Sequence, residues 1–293
     1  MLPIIIGVSG ALIFGSADFI GGMAAKRISA VRVTAIGAAS GLVLLIAATA
    51  LVGGTWSAPA VLLGALSGVT GAFSIVLLYA CLAIGPMSIL SPTTAVVSAL
   101  VPVLVGLAGG DTLHAIGYVA LGLALAAVIL VGFVPEKGAV RPSLKALAMA
   151  IGSGFMIGAF IVIIDMTPAD SGIVPLIANR AVNGTIMFAT IAVLTLFARR
   201  KNRNAGTPSL AAGSGWRPGL VFAITSGVID ATANIFLLLG LRLGELTIQS
   251  VLTALYPAGT IILAAIVLKE RIAPVQVVGL VLAIAAASML ALA

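Results

Sequence analysis

Run after run of this chain stays apolar for the length of a membrane span. Ten such runs, at about 3–23, 31–52, 59–82, 87–108, 113–134, 144–164, 172–198, 218–240, 246–268 and 273–292, are separated by short breaks. A spanning helix needs roughly 20 mostly apolar residues, whereas a spanning barrel strand needs about 10 in strict alternation. Nothing in these runs alternates. Inside hydrocarbon each backbone N–H and C=O must be satisfied within its own segment, so the runs read as helices. The expected fold class is an all-α polytopic membrane protein with ten transmembrane helices. Composition removes the competing classes: only 8% of the 293 residues are charged, against about 25% in a soluble domain. Cys81 is the sole cysteine, so no disulfide scaffold exists. The net charge of +7 does not indicate a nucleic-acid partner, because the basic residues sit in short loops between apolar runs.

The breaks carry ordinary turn chemistry: Gly53-Gly54, Gly85-Pro86, Gly109-Gly110, the stretch Pro135 to Gly138, Thr167-Pro168, Gly244-Glu245 and Lys269-Glu270-Arg271. The polar run from Arg199 to Arg217 reads as a solvated loop. The first run has no basic segment before it and leads into further spans, so it reads as a helix of the bundle rather than a cleaved leader.

An internal repeat organises the runs. Ser67-Gly68-Val69 opens a helix ending at Leu82 to Gly85, and Ser226-Gly227-Val228 opens one ending at Leu241 to Gly244, an offset of 159 residues at both ends. Ser9-Gly10 matches Ser153-Gly154, and Arg32 matches Arg180 near the start of the following helix. Residues 1–135 and 136–293 thus form two five-helix units. With an odd number of helices in each, the second enters the membrane with opposite polarity, and inverted repeats of this kind place a substrate site near the midplane. Of the 15 basic residues, 13 fall on the side opposite the termini, with only Arg180 and Arg242 on the termini side. Positive-inside then puts both termini outside.

Thr253-Ala-Leu-Tyr-Pro257, the apolar run to Leu268-Lys-Glu-Arg271, and Gln276-Val-Val-Gly279 before a last apolar helix resemble the end of an EamA-type repeat of the drug/metabolite transporter superfamily. The first unit is similar but degraded, with Ala99-Leu-Val-Pro102 and Asp111 in place of the Glu. The resemblance spans both units. It implies a ten-helix carrier of small metabolites, often amino acids, that exports or exchanges them by alternating access. It also implies a cavity lined by helices 1, 3 and 4 and by 6, 8 and 9. Many members are drawn with cytoplasmic termini; for this sequence the charge count takes precedence.

Polar groups at membrane depth are costly and become functional candidates. Asp230 lies mid-helix, with Asn234 at i+4 on the same face. It offers a proton site or a partner for a substrate ammonium; the competing reading is a protonated Asp bonded to a neighbouring helix. Asp18, after Ser16, is either a second such group or an interfacial residue pairing with Lys26 or Arg27. Tyr79 and Tyr256 offer a stacking face with one hydroxyl, and Ser74, Gln249 and Ser250 add hydrogen-bonding capacity. Packing is the more frequent role for any one of them. Arg180, with Asn179 and Asn183, is a candidate grip for a carboxylate at the extracellular mouth, against simple snorkelling. His114, beside Asp111, is a candidate gate or pH sensor, against a solvated side chain. Gly64, Gly68 and Gly71, and Gly117 with Gly122, are expected to let helices approach closely.

The chain has no phosphate-binding G-x-x-x-x-G-K-[ST] and no His/Cys-rich or H-E-x-x-H metal site, so no cofactor or metal is expected. Gly7-Val-Ser9-Gly10 superficially resembles an intramembrane protease nucleophile, but the sole His lies over one hundred residues away at another helix end. No ring of acidic residues or filter-like loop repeat marks a channel, although a pore can be built from backbone, so a channel stays a less favoured alternative. The sequence therefore reads as a non-enzymatic secondary transporter, a multi-pass protein of a bacterial-type cytoplasmic (inner) membrane. Its partners are a small-molecule substrate and membrane lipid, and a monomer suffices because both units share one chain. Aromatic or other hydrophobic amino acids are the first substrate class; hydrophobic cations, including drugs, and nucleobase-like metabolites are the alternatives.

Overall fold

The computed structural model describes residues 1–25, 27–84, 87–132, 143–205, 217–267, 269 and 273–290. Its elements are helices throughout, with no strand among the described residues: α1 (Leu2–Ala25), α2 (Ala30–Val52), α3 (Ala58–Ile84), α4 (Met87–Gly109), α5 (Ala115–Gly132), α6 (Leu144–Asp165), α7 (Val174–Ala205), α8 (Arg217–Leu243), α9 (Leu246–Thr253), α10 (Tyr256–Val267) and α11 (Pro274–Leu290). Among the described residues, seven stretches are long and apolar enough to cross a membrane: α1, α2, α6, α8, Ala58–Leu78 of α3, Val174–Phe197 of α7, and Leu246–Val267 across α9 and α10. Thr93–Gly109, Ala115–Leu130 and Pro274–Leu290 are apolar but shorter.

Two expectations from the sequence need correction. The run 246–268 is not one helix: it breaks at Ala254 and Leu255 into α9 and α10. Pro257, second in α10, lacks an N–H and its ring crowds the carbonyl four residues earlier, which removes continuity at this point. The polar run after Arg199 is not all loop, because α7 carries on through Ala205. The Gly53-Gly54 break does form a turn, with φ of 69° and 140°, values that a side chain resists. Across it, Thr55 N–H donates to the Asp170 carbonyl at 3.0 Å.

α1 packs against α8 and α10, and α6 against α3 and α4. α2 lies between α7 and α8, α3 also meets α7, α5 pairs with α11, and α4 meets α9. Alanines dominate the packed layer of α4, α5 and α11 (Ala95, Ala99, Ala120, Ala124, Ala127, Ala283 and Ala286), as expected where lipid supplies no hydrophobic drive and close contact must hold helices together. Gly64 and Gly68 do allow close approach: a Cβ on Gly64 would lie 2.8 Å from Pro175 Cα, and one on Gly68 2.6 Å from the Asn179 carbonyl. Gly122 does not; nothing lies within 4 Å of where its Cβ would be. Hydroxyls add cross-helix bonds to backbone carbonyls: Thr94 to Ala150 at 3.1 Å, Ser226 to Ala17 at 2.8 Å and Thr260 to Gly15 at 3.0 Å.

Candidate functional site

Asp230 is the middle residue of α8, thirteen positions from either end. A carboxylate there needs a partner, and it has one: the Arg180 guanidinium of α7 donates to Asp230 Oδ2 in a charge-assisted bond. Arg180 sits six residues into α7, roughly 9 Å below the helix start at 1.5 Å per residue. Its stem passes Gly41 of α2, whose missing side chain leaves room for it. The pair is mostly enclosed, with 13% of the Arg180 side chain and 29% of the Asp230 side chain exposed. Asn234, buried one turn further on, donates to the Asp230 backbone carbonyl at 2.8 Å and approaches Oδ2 at 3.5 Å. The arginine read from sequence as a grip at the mouth thus turns inward to Asp230. Two opposite charges in the same low-dielectric bundle find each other rather than remain separately desolvated.

Asp18 of α1 occupies a different situation. Its side chain is exposed, unlike those of its helical neighbours Ala17 and Phe19. It lies within electrostatic range of Asp230 and of the Tyr256 phenol on α10. No hydrogen bond or ion pair reaches Asp18 among the described residues. Arg27, one partner expected for it, is engaged elsewhere: its guanidinium donates to the Pro218 carbonyl at 3.4 Å and stacks 4.3 Å from the Phe222 ring centre. Lys26, the other, lies outside the described residues. The helices that carry these groups are locked side by side. A Cβ on Gly15 of α1 would fall 2.6 Å from the Thr260 backbone nitrogen of α10, so backbone meets backbone immediately beside Tyr256.

Asp18, Arg180, Asp230, Asn234 and Tyr256 therefore converge from α1, α7, α8 and α10. Arg180 pairs with Asp230 alone, so the Asp18 carboxylate is left without a counter-charge among the described residues. Other candidates are placed away from this cluster. The Ser16 hydroxyl donates back to Leu12 at 2.8 Å within its own helix. Ser74 is buried at the α3–α6 contact, donating to Gly71 and receiving the Ser153 hydroxyl at its carbonyl, at 2.7 and 2.9 Å. Gln249 is fully buried and wedged between α1 and α8, where Nε2 donates to the Pro3 carbonyl at 3.0 Å. His114 stands exposed before α5, its carbonyl accepting from Gly117 N–H at 2.8 Å. The Tyr79 side chain, and Glu270 with Arg271, lie outside what is described. Asn179 donates to Ser67 Oγ at 2.8 Å, and Asn183 presents a buried Oδ1 without a partner.

Two contacts were missed by sequence reasoning. Arg242 caps the C-terminus of α6 through the carbonyls of Thr167 and Pro168, at 2.5 and 2.9 Å. Asp111 accepts the Thr247 N–H at 2.9 Å. A lone charge beside a helix end was the available signal for both, since helix termini leave backbone groups unsatisfied.

The helices and the enclosed charged cluster define a multi-pass membrane protein with a polar site inside an apolar bundle. The EamA-like transporter family model matches residues 144–292, just over half of the chain, and the chain belongs to that family, within the drug/metabolite transporter superfamily. It is accordingly a membrane transporter of small molecules. No curated protein matches the sequence. One solved crystal structure aligns over 100% of this chain and 98% of its own, with a TM-score of 0.74 at 13% identity, a likeness in fold alone.

Proposed function

We propose that the chain is a secondary carrier that moves small metabolites, most readily amino acids with aromatic or other apolar side chains, by alternating access across a bacterial-type inner membrane. The observation that carries this reading is the cluster of Asp18, Arg180, Asp230 and Tyr256 at the heart of an apolar bundle. It would offer a zwitterion the Asp18 carboxylate and the Tyr256 phenol beside the Arg180–Asp230 pair. The EamA family match supports the carrier class. The two-unit plan is supported by the packing pairs. Exchanging α1–α5 for α6–α11 turns α1·α8 into α6·α3, α1·α10 into α6·α4 and α2·α8 into α7·α3, and leaves α2·α7, α4·α9 and α5·α11 as self-pairs. This pairing supports a reading of ten spans in two inverted units, with α9 and α10 together as the ninth. The 13-to-2 division of basic residues supports outside termini.

Hydrophobic cations are the second reading. It rests on one observation: Asp230 is neutralised by Arg180, whereas Asp18 is not, so the cluster carries an excess acidic group. Uptake of radiolabelled phenylalanine and leucine by proteoliposomes, with and without competing unlabelled amino acids, tests the first reading. Saturable uptake with competition is expected from wild type and not from Asp18→Asn. Transport of a lipophilic ammonium dye, with neither amino acid moved nor competing, would transfer the assignment to cations.

A further inference from the structure

At the end of the bundle where α1 begins, the short helix α9 is held by residues of the first five helices. Asp111, in the segment after α4, accepts the N–H of Thr247 in the first turn of α9 at 2.9 Å, where a carboxylate meets the positive end of the helix. The Thr247 hydroxyl reaches the Val103 carbonyl of α4 at 3.5 Å, and a Cβ on Gly106 would fall 2.5 Å from that hydroxyl. Glu245, the residue that would normally cap α9, makes no side-chain cap bond. The cap comes from the other half of the chain.

One turn on, Gln249 is fully buried, with its amide seated where Gly7 of α1 and Gly240 of α8 lack side chains. A Cβ on Gly7 would lie 2.7 Å from Gln249 Oε1. Nε2 donates to the Pro3 carbonyl at 3.0 Å, while Oε1 has no partner, and neither does the buried Oε2 of Glu245. Buried acceptors without donors carry a desolvation cost that hydration would relieve. At its other end α9 is separated from α10 by the break at Ala254 and Leu255. α9 is thus just over two turns of helix, ending on one side at the 254–255 break and pinned on the other by a borrowed cap and an inserted amide.

We infer that α9 is the gate on the termini side of the cavity, latched closed by the Asp111 cap and the Gln249 wedge, and released when both give way to water. This rests on the carrier reading, because only alternating access requires that end to open. Release swings α9 about Ala254–Leu255, and it uncovers Glu245 and Gln249, whose unpartnered oxygens gain solvent. The closed arrangement is therefore poised, stable enough to seal the end and carrying within it part of the cost that opening recovers.

The first test needs no substrate. In a Cys81→Ala background, Ser250→Cys places one thiol at a fully buried position on α9. Its labelling by a membrane-impermeant maleimide, in protein reconstituted in liposomes, reads gate opening directly. Asp111→Asn, Gln249→Ala and Gly7→Ala, the last expelling the amide, are each expected to raise the labelling rate about tenfold or more, the order set by losing a charged hydrogen bond or a packed side chain from one of two states. Unchanged labelling in all three folded variants overturns the latch. A disulfide between Asp111→Cys and Thr247→Cys is expected to abolish exchange across the membrane and to restore it on reduction. Full exchange in the oxidised protein overturns the gate. If labelling responds while no amino acid or cation is moved, the latch stands and it is the carrier reading that fails.

Discussion

Neutralising one member of the Arg180–Asp230 pair tests whether the charges stabilise the bundle together. Removing one partner of a fully buried ion pair costs about 3–5 kcal/mol, because the other charge is left uncompensated. With 13% and 29% of the two side chains exposed, the expected loss is smaller, about 2–3 kcal/mol for either single change. The two losses are not equal. Arg180→Gln leaves the Asp230 and Asp18 carboxylates within range of each other with no cation between them, so it falls at the upper end. Asp230→Asn leaves the guanidinium an amide oxygen it can still bond, so it falls at the lower end. The double variant removes both charges and leaves two amides able to hydrogen-bond. It is expected within about 1 kcal/mol of wild type, which, against single losses summing to about 5 kcal/mol, makes the coupling energy about 4 kcal/mol or more. Cys81 supplies the assay, being the sole cysteine and fully buried. A fluorogenic thiol reagent reports unfolding from that one position in detergent-solubilised protein. Single variants should lose about 4–6 °C in Tm, taking roughly 2 °C per kcal/mol for a chain of this size. Strict additivity, with the double variant losing the sum of the singles, would refute the coupling.

Three further outcomes follow from the packing. Gly15→Ala pushes a methyl group into the backbone of α10 and should cost about 1–3 kcal/mol, read by the same Cys81 labelling; Gly122→Ala, with open space around it, should change Tm by no more than a degree or two. Arg242→Gln strips the cap from the Thr167 and Pro168 carbonyls and should lower stability by about 1.5–3 kcal/mol, with Arg242→Lys recovering only part because one ammonium cannot span the same fan of acceptors. Asp18→Asn removes an unpaired carboxylate, so it should leave Tm unchanged or raised while abolishing uptake; a large fall in Tm would mean that Asp18 is a structural group.

The sequence made the class of the molecule plain because hydropathy over spans of about 20 residues needs no tertiary information. Asp230 and Asn234 were legible as one helix face for the same reason, since i and i+4 is a local relation. What the sequence withheld was partnership between helices. Arg180 and Asp230 are 50 residues apart and each was visible as an oddity at depth, but their pairing depends on α7 and α8 lying either side of α2, and no spacing encodes that. Asp18 and Asp230 exchanged rank for this reason: the mid-helix carboxylate is neutralised, and the one nearer a helix end is left open. Gln249 was read as a cavity group from its polarity alone. Its actual seat requires Gly7 and Gly240 to face each other across two helices far apart in the chain. The break at 254–255 was within reach, because Pro257 sat in the middle of a run assigned as continuous.

The central claim is that the cluster on α1, α7, α8 and α10 is one substrate site opened alternately to the two sides. Counterflow in proteoliposomes tests it most directly. Vesicles preloaded with unlabelled phenylalanine are diluted into trace labelled phenylalanine, and label is followed over time in wild type and Asp18→Asn. The account predicts transient accumulation of label above its equilibrium level in wild type, abolished by Asp18→Asn although that variant remains folded. Flux that rises linearly with concentration and is indifferent to preloading would contradict it and describe a pore instead.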